Sequence, residues 1–345
     1  MANIVICADG TWNRPEEDIE KDFPTNALQL ARAIKPADNG VKQHVFFDWG
    51  LGSYHNSLSA GATGRGIHKN IMDGYRYIVQ NYAPGDKIFL FGFSRGAYTV
   101  RALTGLMNNC GILKRPDANL IARAWRIYKS PSTKNRPHGE AAESFRNSHC
   151  HLSKNVDFVG VWDTVGALGI PFSLMGLFDR HDEFYDTKMG SNISIARHAL
   201  AIDEQREDFE PTVWTPRSGI DLKQVWFCGV HADVGGSYPP DKHTGIRVSD
   251  TPLAWMLDEA GEAGLNIEPY LRSFLTDGVK GKLHTSRNHV YRFKTPLHRP
   301  LRIAGKPTMI HPSVKIRYMA DSSYRPPQLL QLVEQRGWSG LDVGT

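Results

Sequence analysis

The chain has 345 residues, 41% of them hydrophobic and 22% charged, enough to bury one large core and too well mixed for a disordered chain or a small disulfide-stapled scaffold. Lys and Arg total 41 against 36 Asp and Glu, a formal charge of +5, and the basic residues are scattered, so no nucleic-acid partner is expected. Cys7, Cys110, Cys150 and Cys228 stand far apart with no C-x-x-C pair, which fits a reducing compartment.

The N-terminus enters a strand at Ile4 without the basic and apolar regions of a secretion signal, so the expected location is the cytoplasm, or outside it by a signal-peptide-independent route. Apolar runs at Ile4 to Ala8, His44 to Asp48 and Lys87 to Phe93 read as strands buried on both faces, as do Val156 to Trp162, Gln224 to Val230 and Asn288 to Phe293. Ile67, Ile71, Tyr75, Ile78 and Tyr82 fall on one helix face before Pro84-Gly85 stops the helix. Thr99 to Met107, Ala118 to Tyr128, Ile193 to Ile202 and Pro252 to Ala263 are further predicted helices, and a small helix and tail end the chain. This alternation predicts an α/β fold with a mainly parallel sheet flanked by helices, in a single domain over 1–345. Residues 129–154 and 166–219 fit the repeat badly and are expected to be insertions with a lid-like character. No run approaches eighteen apolar residues, so membrane contact is expected only at the periphery.

The strongest motif is Gly92-Phe-Ser-Arg-Gly96, directly after the apolar strand and directly before a helical stretch. G-x-S-x-G in that setting is a nucleophile elbow, with Ser94 at the carboxyl edge of the sheet. A serine needs a base, and the base needs a carboxylate to orient it. Two other predicted strand ends supply them: Val161-Trp runs into Asp163, and Gly229-Val runs into His231. The order Ser94, Asp163, His231 is a hydrolase order, and an alternative in the same order is Ser94 with Asp233 and His311. The Arg95 amide is one candidate donor for an oxyanion; the Gly10 or Thr11 amide at the exit of the first strand is a second. Asp9-Gly10-Thr11 lacks the preceding aspartate of a haloacid-dehalogenase motif, because Cys7 stands there. His149-Cys150-His151 has no second ligand pair at useful spacing, so neither a metal nor a cofactor is expected. The apolar run Ile170 to Phe178, broken by Pro171 and Gly176, is either core or an acyl pocket in which Phe172 and Leu174 meet substrate.

Asp9-Gly-Thr-Trp-Asn13, Gly66-Ile-His-Lys-Asn70, Gly85 through Tyr98, Val161-Trp-Asp-Thr-Val165, Arg197 through Glu204 and Gly229 through Gly236 together resemble a bacterial α/β-hydrolase family that includes the type VI secretion phospholipase effectors. The resemblance runs from about residue 3 to about residue 320. It implies an α/β-hydrolase fold, Ser94 as nucleophile, and Asp163 and His231 as acid and base in preference to Asp233 and His311. The expected activity is a serine esterase or lipase, phospholipase A-like, acting on lipid or small ester substrates. The other readings are a general esterase that does not act on membranes and a non-catalytic hydrolase-like binding protein.

Overall fold

The computed structural model describes residues 1–10, 22–50, 64–165, 189–301 and 308–342. In chain order the strands are β1 (Ala2–Ala8), β2 (Ala37–Asp38), β3 (Val41–Asp48), β4 (Lys87–Phe93), β5 (Val156–Trp162), β6 (Ile193–Ala201), β7 (Asp221–Phe227) and β8 (Met309–Ile310). The helices are α1 (Asn26–Ala33), α2 (Gly64–Asn81), α3 (Arg95–Cys110), α4 (Ala118–Lys129), α5 (Glu140–His149), α6 (His231–Gly235), α7 (Asp250–Glu262), α8 (Pro269–Phe274), α9 (Pro312–Ala320) and α10 (Pro327–Arg336). The eight strands form one sheet in the order β2-β3-β1-β4-β5-β6-β7-β8, parallel throughout except for the β2–β3 pair. This is an α/β-hydrolase-like fold.

Burial on both faces explains why the strands are continuous apolar runs. In β1, Ile4 and Ile6 face a core shared with Ile71, Tyr75 and Ile78 of α2, while Val5 and Cys7 face a second core with Leu30 of α1 and Met256 of α7. In β4, Ile88 and Leu90 join the first core, and Phe89, Phe91 and Phe93 the second. A third core packs Trp226 and Ile310 under Val314 of α9 and Leu329 of α10.

Two expected elements differ. Ile193–Ala201 is a strand, not a helix, and lies inside the sheet between β5 and β7. Its apolar residues face both main cores, Ile193 and Ala196 one and Ala199 and Ala201 the other, so burial on two sides overrides the helix-like spacing. That part of 166–219 is therefore sheet. Residues 289–293 form a 3₁₀ turn instead of a strand, and the edge strand after β7 is the two-residue β8. Within 129–154, α5 sends Ala142 and Phe145 into the first core. The four cysteines are unpaired and buried, and burial pushes the Cys110, Cys150 and Cys228 thiols up to about 12.

Candidate active site

Four strand ends at the carboxyl edge of the sheet converge on Ser94. The elbow is built by close approach: a Cβ on Gly92 would collide with the Gly96 carbonyl, and one on Gly96 with the Ala8 carbonyl at the exit of β1. Both positions therefore require glycine. Ser94 has φ 57° and ψ −121°, a left-handed φ held on one side by the hydrogen bond that its amide donates to the Trp162 carbonyl (3.1 Å) and on the other by the start of α3. Such a conformation on a non-glycine residue is strained and persists only where the surroundings fix it.

Asp163, the residue after β5, is also left-handed at φ 41° and is fully buried. Its Oδ2 lies 2.6 Å from His231 Nδ1. Its Oδ1 accepts from the Ala201 amide at 3.0 Å, and Arg299, itself fully buried, forks across both oxygens at 2.7 and 3.0 Å. Burial raises the Asp163 carboxyl, but the Arg299 charge and the His231 hydrogen bond outweigh it and hold the group well below the usual carboxylate range. Asp163 is thus a fixed anion.

His231 opens α6 and is 6% exposed. The Phe93 ring lies against its imidazole, centroids 4.6 Å apart, which brings the ring beside the elbow because Phe93 precedes Ser94. Phe209 meets it edge-on at 5.0 Å. The Arg206 guanidinium sits 3.4 Å over the Phe209 ring and forks onto Glu204, whose Oε2 accepts from the His231 amide at 3.2 Å. Burial raises the Glu204 carboxyl, and Arg206 more than reverses this, to about 2. With Asp163 on Nδ1, the imidazole keeps the tautomer whose Nε2 carries a lone pair for a proton.

The alternative acid and base are not brought together. Asp233 accepts from His284 Nδ1 at 2.6 Å and from the Val230 and His284 amides at 3.1 Å each. His311 caps α9, with Nδ1 2.8 Å from Ser313 Oγ and its ring stacked on Phe227; burial pulls it down to about 4. His311 therefore has no access to Asp233, whose oxygens already hold another histidine.

The Gly10 amide is likewise committed: it donates to Asp9 Oδ1 at 2.7 Å, while Thr25 Oγ1 holds Asp9 Oδ2 at 2.7 Å. As placed it is an anchor for Asp9, not an oxyanion donor. Arg95 is the first residue of α3, so its amide stands at the positive end of a sixteen-residue helix. Thr11, Phe172 and Leu174 lie outside the described residues. His198, within the stretch expected to be a helix, sits mid-strand in β6 and accepts the Thr164 amide at 3.1 Å; burial lowers it to about 3, so a neutral ring fixes the turn after Asp163.

Arg299 is the residue that sequence reasoning missed. It lies 136 positions from Asp163 in a stretch with no periodic pattern, and nothing in the sequence around Arg299-Pro300 signals the contact.

Residues 2–259 match the sequence model of the family described as T6SS, phospholipase effector Tle1-like, catalytic domain. The chain belongs to this family. The matched span includes Ser94, Asp163 and His231 but ends before His284 and Arg299. An uncharacterized protein of Saccharomyces cerevisiae is 26% identical over 249 residues, which are 66% of this chain and 35% of that protein. An uncharacterized protein from Pseudomonas aeruginosa of known structure is 16% identical, with a TM-score of 0.47 over 81% of this chain and 49% of its own. A Tle1 effector bound to the VgrG spike from the type 6 secretion system is 17% identical, with a TM-score of 0.41 over 71% of this chain and 52% of its own. The chain thus spans about a third to a half of the length of these relatives.

Proposed function

We propose that this Tle1-like domain hydrolyses carboxylic esters, lipid or phospholipid acyl esters among them, by a Ser94–His231–Asp163 acyl-enzyme mechanism. The observation that carries this reading is the 2.6 Å His231–Asp163 contact, with the imidazole against the ring of Phe93, the residue that precedes the left-handed Ser94. Ser94 Oγ attacks the ester carbonyl carbon as its proton passes to His231 Nε2, and the carbonyl oxygen becomes an anion facing the Arg95 amide. Collapse of the tetrahedral species expels the alcohol, which takes the proton from His231. Water then repeats the sequence on the acyl-serine and releases the acid. Asp163 supports the imidazolium in both halves without gaining a proton, as its Arg299-held charge requires.

The test is mass spectrometry of products released from a mixed bacterial lipid extract by wild type and by Ser94→Ala. Wild type is expected to release free fatty acids and lysolipids, and Ser94→Ala to lose about three orders of magnitude or more in rate. Turnover that persists in purified Ser94→Ala refutes the mechanism; binding without turnover by wild type points to a non-catalytic relative.

A further inference from the structure

Behind α6 a cavity of ≈ 210 Å³ is lined by Ala232, Tyr238, Lys242, Arg247, Lys282 and His284, with Asp233 and Asp241 in its wall. Two of its basic side chains are fixed from behind by carboxylates withdrawn from solvent. Arg247 Nε lies 3.1 Å from Asp250 Oδ1, and His284 Nδ1 lies 2.6 Å from Asp233 Oδ1; Asp250 is 0% and Asp233 1% exposed. Tyr238 stacks on the His284 ring at 3.9 Å and holds it from the other side. Lys242 and Lys282 are exposed, and neither has an ion-pair partner among the described residues.

The acids of the wall are already satisfied. Asp233 takes three hydrogen bonds from Val230 and His284, and Asp241 Oδ1 takes three from the His243 and Thr244 amides and the Thr244 hydroxyl. Lys242 and Lys282 carry charges that no carboxylate pairs among the described residues, and Arg247, whose Nε faces Asp250, makes no other side-chain bond there. A tetrahedral oxyanion offers a separate oxygen to each of Lys242, Lys282 and the Arg247 fork, which approach from different residues of the wall. The volume is below the roughly 300 Å³ at which sites for drug-sized ligands begin, so it suits a group of headgroup size.

We propose that this cavity binds a phosphate-type oxyanion and that, in an ester substrate, it takes the phosphate at the polar end. Its position supports the second half: Ala232 follows His231, and Asp233 Oδ2 holds the amide of Val230, which precedes it. Cavity and base therefore share one five-residue helix. The second half rests on the ester-hydrolase reading; the first does not.

The test has two arms, both on the full chain. In the first, Ser94→Ala is titrated with inorganic phosphate and with glycerol 3-phosphate by calorimetry, alone and combined with Lys242→Glu/Lys282→Glu or with Arg247→Gln. Saturable binding is expected, weakened by added salt and by about tenfold or more in each variant. No saturable binding in Ser94→Ala, or unchanged affinity in the folded lysine variant, overturns the site. The lysines are exposed, so that variant tests charge without disturbing the core. In the second arm, kcat/KM for a phosphate-bearing diacyl ester is divided by kcat/KM for a neutral diacylglycerol with the same chains. The ratio is expected to fall at least about tenfold in Lys242→Glu/Lys282→Glu, through KM. An unchanged ratio alongside weakened phosphate binding overturns the substrate half and assigns the site to free phosphate. Absence of any ester turnover by wild type refutes the hydrolase reading, and the titration alone then decides the cavity.

Discussion

Two histidine–aspartate pairs flank the same short helix, and in each an imidazole Nδ1 lies 2.6 Å from a carboxylate oxygen. Their surroundings differ completely. Asp163 is held by a buried guanidinium, and His231 is 6% exposed between two aromatic rings beside a strained serine. Asp233 is held by backbone amides, and the His284 side chain is 38% exposed on a cavity rimmed with lysines. The same 2.6 Å contact thus sits in two different settings, and the proposed mechanism uses only the first for proton transfer. What distinguishes them is the surroundings of the ring: Phe93 and Phe209 against His231, and Tyr238 and an open cavity against His284.

The largest expected contrast is in turnover. His231→Ala and Asp163→Asn should each lower kcat for a neutral ester by about three to four orders of magnitude while the fold persists. His284→Ala should lower it by no more than about tenfold. A comparable loss from His284→Ala breaks the distinction between the pairs.

Arg299→Met probes what holds the Asp163 carboxyl below its ordinary range. Removing one partner of a buried ion pair costs about 3–5 kcal/mol, so the thermal midpoint should drop clearly at neutral pH. The Asp163 carboxyl is depressed in the folded chain, so its stabilisation is present above its unfolded pKa of about 3.9 and is lost as pH falls through the folded value. The gap between wild type and Arg299→Met should therefore narrow as pH drops below about 4. A gap independent of pH would mean that Arg299 acts through packing alone.

Asp203 supplies the opposite sign. It accepts the Gly229 amide at 2.6 Å, in the loop that leads to His231, and burial pushes its carboxyl up to about 7 against the smaller opposing effect of that bond. A raised folded pKa stabilises below the unfolded value of about 3.9 and loses that stabilisation as pH rises toward 7. The wild-type melting midpoint should fall between about pH 5 and pH 8, and Asp203→Asn should flatten the slope. A steeper slope in the variant would assign the titration elsewhere. The smallest effect is expected from His311→Ala, which removes a helix cap worth roughly 1 kcal/mol and should leave turnover within about twofold of wild type; a large loss would restore His311 as a candidate base.

The legible parts of the molecule are those fixed by local pattern. β4 and β5 fall where apolar runs place them, and the elbow follows because strand, turn and helix are written within one short stretch. The spacing of Ile67, Ile71, Tyr75 and Ile78 marks the face of α2 that enters the core. β6 was not legible, because Ala196, Ala199 and Ala201 carry helix-forming preference and only the flanking strands make them sheet. The pairing of Asp163 with His231 follows from their shared position at strand ends. Arg299 and His284 arrive from loops 136 and 51 residues away from their carboxylates, and no periodicity announces a contact of that kind. The Gly10 amide misleads for a related reason: a strand exit marks a place, while the adjacent Asp9 carboxylate decides where the amide donates.

The central claim is that Ser94 is the activated nucleophile, and covalent labelling followed by intact-mass and peptide analysis tests it most directly. Wild type treated with a fluorophosphonate should gain one adduct, located on Ser94, at a rate that falls by at least about a hundredfold in His231→Ala. Ser94→Ala should gain none. An adduct on another residue, or equal labelling of wild type and Ser94→Ala, would contradict the account.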